Sequence, residues 1–315
     1  MNKNEGGQGA PGQKSAAKKA KKHKRRILFF ILAAVLALFI AAQVLCSAYA
    51  LSVSFYEIET DRPGTDIRIV HLSDLHGSSF GKENTRLIKK VEEQQPDLIL
   101  ITGDLIDASD EDLTAALDLI AALCGIAPVY ISLGNHEIEY EAAYGADIAA
   151  LYEAAGDGCT YAAKVLEYEY EDIEVNGQEI RLGGIYGYCL PEEFLETGEA
   201  DEEECAFLSE MQDTEAYTIL LCHMPVCWDL NGALDSWDIN CVLTGHTHGG
   251  QVIIPFIGGL WAPDYGFFPG SLEGLRFSET GEKVLVFSRG LGNTEWLVRF
   301  NNIPEIVVLD IKAAQ

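Results

Sequence analysis

Residues 66–104 read DIRIVHLSDLHGSSFGKENTRLIKKVEEQQPDLILITGD. "DIRIVHL" is apolar and β-branched, "SDLHGSSFGKEN" is loop, and "TRLIKKVEEQ" has helical spacing. Pro96 stops the helix, and "DLILIT" is a short continuous apolar run of the kind buried inside a sheet. The pattern repeats at once, with "EDLTAALDLIAALC" as an amphipathic helix and "PVYISL" as the next strand. Such units favour a sheet covered by helices.

Downstream the pattern changes. "KVLEYEYEDIEVNGQEIRLGGI" alternates, and Asn176-Gly177 in its middle is a type I′ hairpin signal. Further strands are expected at "YTILLC", "INCVLT", "KVLVFS" and "EIVVLDI", and the acidic residues 190–213 should be helical or irregular. The expectation is one α/β domain, with parallel units first and more antiparallel strands later.

Upstream, residues 1–26 hold nine Lys/Arg and one Glu without apolar periodicity, so a disordered basic tail is expected there. No charged side chain occurs from Ile27 to Tyr56. "ILFFILAAVLALFIAAQVL" is long enough to cross a hydrocarbon core of ~30 Å as a helix. Residues 27–56 are therefore read as a transmembrane signal-anchor with a short tether, the membrane contact being residues 27–50. The basic flank keeps the N-terminus cytoplasmic and places residues 57–315 outside, as one extracytoplasmic domain on a single-pass anchor in the cell membrane. Ala48-Tyr49-Ala50 also fits a signal-peptidase pattern, which makes a released form the alternative.

After residue 26 the chain carries 13 Lys/Arg against 48 Asp/Glu. That field excludes general nucleic-acid binding and concentrates divalent cations. The eight cysteines form no CxxC pair and suggest no disulfide pairing. Cys222 and Cys227 flank His223, but a cysteine among apolar residues behaves as a small hydrophobe.

Five expected strands end in a polar residue suited to metal binding. Asp74 and His76 follow the first, Asp104 the second, Asn135 and His136 the third, His223 "YTILLC", and His246 with His248 "CVLT". Ligand crevices in open α/β sheets lie beyond the carboxyl ends of the strands, so these loops should converge. Imidazole with carboxylate suits Zn, Fe, Mn or Co. His71, inside a strand, reads as packed core, and His23 belongs to the basic tail.

In this order "SDLH", "GD", "GNHE", "H" and "GHTH" resemble the calcineurin-like metallophosphoesterase superfamily, over about Asp66 to Lys312. "GHTHGGQ", "SRGLG" and "PEIVVL" are most similar to its membrane-associated phosphodiesterase branch. The resemblance implies a four-layered α/β/β/α sandwich, here preceded by one transmembrane helix. It implies two divalent metals, one held by Asp74, His76 and His248, the other by Asn135, His223 and His246, with Asp104 bridging both. Two such ions ~3.5–4 Å apart clamp phosphoryl oxygens and acidify a bridging water that attacks phosphorus in line. His136 matches the family's general acid, worth ~10²–10⁴-fold for a poor leaving group. Glu137 reads equally as a loop-orienting residue or a surface one.

Serine/threonine phosphatases of this superfamily carry an arginine soon after "GD"; here "GDLIDASD" follows and no arginine occurs before Arg181, which disfavours a protein phosphatase. The loop "GGQVIIPFIGGLWAPDYGFFPG" must bury or expose Phe256, Trp261, Tyr265, Phe267 and Phe268. Packing against the sheet is one reading; an apolar rim for a lipid tail or the bilayer surface is the other. The expected activity is thus a phosphodiesterase on a lipid-linked or envelope component. The alternatives are a non-catalytic metal-binding envelope protein and a broad extracellular nucleotide phosphodiesterase.

Overall fold

The computed structural model describes residues 11–62, 66–187, 202–293 and 297–314. Helix α1 runs from Pro11 to Tyr49. Residues 11–26, expected to be disordered, thus continue the helix; their Lys, Ala and Arg are strong helix formers even without an apolar stripe. Within α1, Lys21–Ser47 holds a stretch long and apolar enough to cross a membrane, with mean hydropathy 2.8 over its most apolar 18 residues, none of them buried by the domain.

No tether follows. Strand β1, Ser52–Thr60, lies parallel to β15, Glu305–Ala313, with Ser52 opposite Glu305. Leu51 is already buried in the core. Residues 51–56, which the charge-free run assigned to the anchor and tether, therefore belong to the sheet. A strand whose partner lies some 250 residues downstream leaves little local mark in the sequence.

The first sheet has the order β1-β15-β2-β3-β4-β5, where β2 is Asp66–Leu72, β3 Leu98–Thr102, β4 Val129–Ser132 and β5 Ala163–Val165. Strands β2 to β5 are parallel, and β15 runs antiparallel to β2. The second sheet has the order β13-β14-β9-β8-β7-β6, comprising β6 Glu169–Val175, β7 Gln178–Ile185, β8 Tyr217–Cys222, β9 Cys241–Thr244, β13 Gly274–Phe277 and β14 Val284–Phe287. Asn176 and Gly177 have φ of 53° and 77°, as the type I′ turn between β6 and β7 requires. As expected, the antiparallel pairs come later in the chain, with β6 and β13 antiparallel at the edges of this sheet, but its centre, β7, β8, β9 and β14, is parallel. Helix α6, Glu202–Gln212, and the short helices α7, Val226–Leu230, and α8, Ala233–Ser236, supply the crossovers.

Alternation along the strands builds the layers. Val70, Leu72, Ile99 and Ile131 face outward under α2 (Thr85–Glu92), α3 (Thr114–Leu123) and α5 (Ile148–Ala155). Their neighbours Ile69, Leu100 and Leu309 meet Leu182, Ile219, Leu243 and Val286 of the second sheet. That sheet's outer face packs Leu220, Val242 and Leu285 against Leu208, Trp228 and Trp237. The result is an α/β/β/α sandwich. Beyond "GHTHGG" a separate three-stranded antiparallel wing follows: β10 Ile253–Ile254, β11 Gly258–Ala262 and β12 Gly266–Gly270.

Candidate metal centre

The loops after β2, β3, β4, β8 and β9 meet at one end of the sandwich. They extend the strand pairing beyond the sheet: Asp74 N–H donates to Gly103 O, His76 N–H to Asp104 O, and Gly245 N–H to His223 O, at 3.0–3.1 Å. Two glycines let these loops approach. A Cβ on Gly134 would lie 2.2 Å from Asp104 Oδ1, and one on Gly245 would lie 1.9 Å from Ser73 Oγ.

All eight candidate residues arrive there. Asp74, His76 and His248 form one cluster, and Asp104, His223 and His246 another, with the donor atoms of each within 4.8 Å of one another. Asn135 joins the second, its Oδ1 3.2 Å from His223 Nε2. Asp104 Oδ2 faces both, 3.1 Å from His223 Nε2 and 3.6 Å from His76 Nε2. Five of these residues are held at positive φ: Asp74 52°, His76 46°, Asp104 54°, His246 65° and His248 48°. Non-glycine residues in this region cost on the order of 1–3 kcal/mol each and cluster at functional sites.

Hydrogen bonding decides whether cations fit. His223 Nδ1–H donates to Thr102 O at 2.7 Å, so the neutral ring turns its Nε2 lone pair toward the Asp104 carboxylate and the Asn135 carbonyl oxygen. Three acceptors facing one another need a proton or a metal ion between them. Burial works against that proton, but Asp104, followed by Asp74 and the Thr102 carbonyl, prevails and raises the His223 pKa to about 10. Burial likewise opposes the charge on Asp104, yet His223, His76 and His136 hold its carboxyl well below the usual range. His76 donates Nδ1–H to Asp107 at 2.9 Å and His246 donates Nε2–H to Asp264 at 3.1 Å, each keeping its other nitrogen for a ligand. Asp74 Oδ2 is buried without a hydrogen-bond partner among the described residues. The donor set fits divalent cations.

His248 is the exception. Arg299, fully buried, donates Nη2–H to His248 Nδ1 at 3.2 Å and Nε–H to Gly292 O at 2.5 Å, while Nη1 has no partner among the described residues. The remaining imidazole proton then sits on Nε2, 3.1 Å from His76 Nε2. A cation at Nε2 requires that proton to leave and the Arg299 contact to open.

His136 lies at the rim, its side chain 20 % exposed and its ring 4.6 Å from that of His76. Ala108 N–H donates to its Nδ1 at 3.1 Å, which leaves a proton on Nε2. Glu137 is fully buried, not superficial: its carboxylate accepts Asp104 N–H and Leu105 N–H at 2.8 Å, and Gly134 N–H and Tyr152 O–H at 2.9 Å. Asp107, Asp264 and Arg299 escaped the sequence reading. Asp107 carried a signal, as a second carboxylate in the "GDLID" loop. His71 is buried as expected, bonded to Thr102 Oγ1 at 2.8 Å. The seven described cysteines are free, and none joins either cluster.

The model of the family described as calcineurin-like phosphoesterase matches residues 67–250. The chain is 32% identical over 253 residues to the uncharacterized metallophosphoesterase YkuE of Bacillus subtilis (strain 168), covering 78% of this chain and 79% of that one. It is 28% identical over 254 residues to the phosphodiesterase YaeI of Escherichia coli (strain K12), covering 78% and 82%. A transmembrane protein with metallophosphoesterase domain from Danio rerio is 28% identical over 199 residues, covering 59% and 41%.

Proposed function

This chain belongs to the calcineurin-like phosphoesterase family, and on that premise we propose that it is a membrane-anchored, extracytoplasmic phosphodiesterase acting on a lipid or envelope component. Metal-dependent hydrolysis of phosphoesters follows from the family; the remainder is our reading. We assign residues 27–50 to the membrane, and the soluble unit to everything from Leu51 onward. The helix Lys21–Ser47 supports the anchor, and the basic residues before Ile27 support a cytoplasmic N-terminus.

Asp74, His76 and His248 would hold one divalent ion, Asn135, His223 and His246 the other, with Asp104 shared. Bound there, the two ions supply positive charge to the phosphoryl oxygens and acidify water. The chain's own groups do the rest. Asp107 and Asp264 fix the rings of His76 and His246 through the nitrogens turned away from the cations. Glu137 ties the "GD" and "GNHE" loops together through four backbone N–H groups. His136, its Nδ1 occupied by Ala108, has Nε2–H to give to a departing alkoxide. A relative named as a phosphodiesterase supports diester over monoester.

The observation that carries the reading is the lone-pair opposition at His223, Asn135 and Asp104. It is tested on the full chain in detergent, loaded with Mn, Zn, Fe or Co and offered alkyl and aryl phosphodiesters, monoesters and nucleotides. Diester hydrolysis with two ions per chain is expected. Metal binding without hydrolysis of any phosphoester would leave a binding protein; preference for soluble nucleotides would replace the lipid substrate.

A further inference from the structure

The wing β10–β12 presents a surface that neither sheet explains. Phe256, Ile257, Phe267 and Phe268 are exposed, Phe256 completely, and Val298, two residues before the Phe300 that bridges Val252, is 58% exposed. From Val252 to Leu272 the only charged residue is Asp264, and it is engaged by His246. This stretch with a single charge belongs to a chain with 48 acidic residues after residue 26. Phe256 and Phe268 also sit at φ of 68° and 59°, where a water-facing turn favours Gly or Asn and a bulky aromatic is out of place. The sequence therefore maintains strained, solvent-facing aromatics where polar residues would be more stable in water.

The occupant follows from what the wing is joined to. Segment 300–304 has two sides. On one, Asn302 N–H reaches Ser47 Oγ near the end of α1 at 3.4 Å, and Ser52 N–H donates to Pro304 O at 2.9 Å. On the other, Phe300 O accepts Ile253 N–H at 3.0 Å, and Asn301 Nδ2–H donates to Ile253 O at 3.0 Å. Asn302 Nδ2–H also reaches His248 O at 2.7 Å. One short segment thus bridges the apolar helix, the aromatic wing and the candidate metal centre. We propose that the wing is a second membrane contact, seated in the bilayer that α1 crosses, which holds the metal centre at headgroup level for a phosphodiester lying in that surface. The proposal rests on the anchored phosphodiesterase reading and adds the surface that presents it to substrate. An aromatic, uncharged face beside an anchored helix is the form such interfacial contacts take, and its lack of acidic groups avoids repulsion by anionic lipids.

The test uses the full chain in vesicles of phosphatidylglycerol and phosphatidylcholine. Phe256→Trp puts a reporter at the tip of the wing. Its added emission should be quenched by lipids brominated in the acyl chain and shielded from acrylamide. Quenching by acrylamide alone would leave the wing in water and overturn the proposal. Shielding from both would mean that protein, a partner or a second copy, covers the wing, and would overturn it too. The triple variant F256N/F267S/F268N suits the backbone, since Asn tolerates positive φ, so folding should persist. It should lower hydrolysis of a vesicle-embedded phosphodiester by about tenfold or more, as membrane attachment scales with buried apolar area, while hydrolysis of a soluble aryl diester and metal content stay unchanged. Equal loss on both substrates would place the wing's role elsewhere. If the wild type hydrolyses neither, the phosphodiesterase reading fails, whereas the Phe256→Trp result still decides the membrane contact.

Discussion

The two ends of the sandwich differ in what they offer a ligand. At the amino ends of β8, β9 and β14 lies an open depression of 1090 Å³, lined by six carboxylates, among them Glu59, Asp213 and Asp238, and by Arg62 and Lys283. At the carboxyl ends lie the candidate metal residues, most of them buried and close-packed. The depression is large, but its only described lining residue at positive φ is Gly281, and its charges pair at the surface, as Arg62 does with Asp238. The metal end strains five non-glycine backbones and turns acceptor toward acceptor. Volume alone does not locate chemistry; groups that need a cation between them do.

The contrast predicts a steep gradient of effects. Asp104→Asn should abolish hydrolysis, by about 10⁴-fold, since several kcal/mol of charge stabilisation at the metals depends on its carboxylate, and elemental analysis should show both ions weakened. Asp238→Asn at the far end should leave turnover within experimental scatter; a comparable loss there would dissolve the comparison. His136→Ala should slow alkyl diesters by ~10²–10⁴-fold, spare activated aryl esters, and leave metal content intact. Unaltered alkyl turnover would remove it as the acid.

Glu137→Ala strips four buried N–H groups and a tyrosine hydroxyl of their acceptor, and chemical denaturation should register a loss of about 3 kcal/mol or more. A change under ~1 kcal/mol would mean that water replaces the carboxylate. His71 gives a pH signature. Burial lowers its pKa from 6.5 to about 3, so on acidification the unfolded state takes up the proton first. Stability is then fully present above 6.5 and falls as pH drops toward 3. By pH 5 this one residue should remove about 2 kcal/mol. In metal-free protein His71→Leu should lose that much less between pH 7 and 5; parallel curves would refute the assignment. Least of all, Arg62→Ala breaks an exposed pair worth ~0–1 kcal/mol and should leave catalysis untouched.

Much of this was legible in sequence because the chemistry sits where strand signals stop. Continuous apolar runs mark β3, β8 and β9, and a parallel sheet puts whatever follows them at one end. Asp107, Asp264 and Arg299 act across 18 to 51 residues of chain, through contacts that exist only once the loops fold back. Glu137 was ambiguous for a related reason: a carboxylate in the first turn of a helix faces either solvent or the loop before it, and only the Asp104 backbone decides. Strand β1 was hidden by the uncharged residues up to Tyr56, and the tail's helix by the absence of an apolar stripe. The wing combines Gly and Phe without clean alternation, so its pairing could not be read, although its aromatics could.

Helix α1 ends at Tyr49 and β1 is already paired at Ser52. Only Ala50 and Leu51 stand between them, which leaves the domain little slack relative to the helix. The uncharged part of the candidate span, Ile27–Ser47, is about 32 Å long at the usual rise, close to a hydrocarbon thickness of about 30 Å. A bilayer of that thickness asks for little tilt, whereas a thinner one is accommodated in part by tilting. On the anchored reading proposed above, that tilt would set the angle at which the metal centre meets the membrane, so that lipids of different thickness would present the same site at different angles.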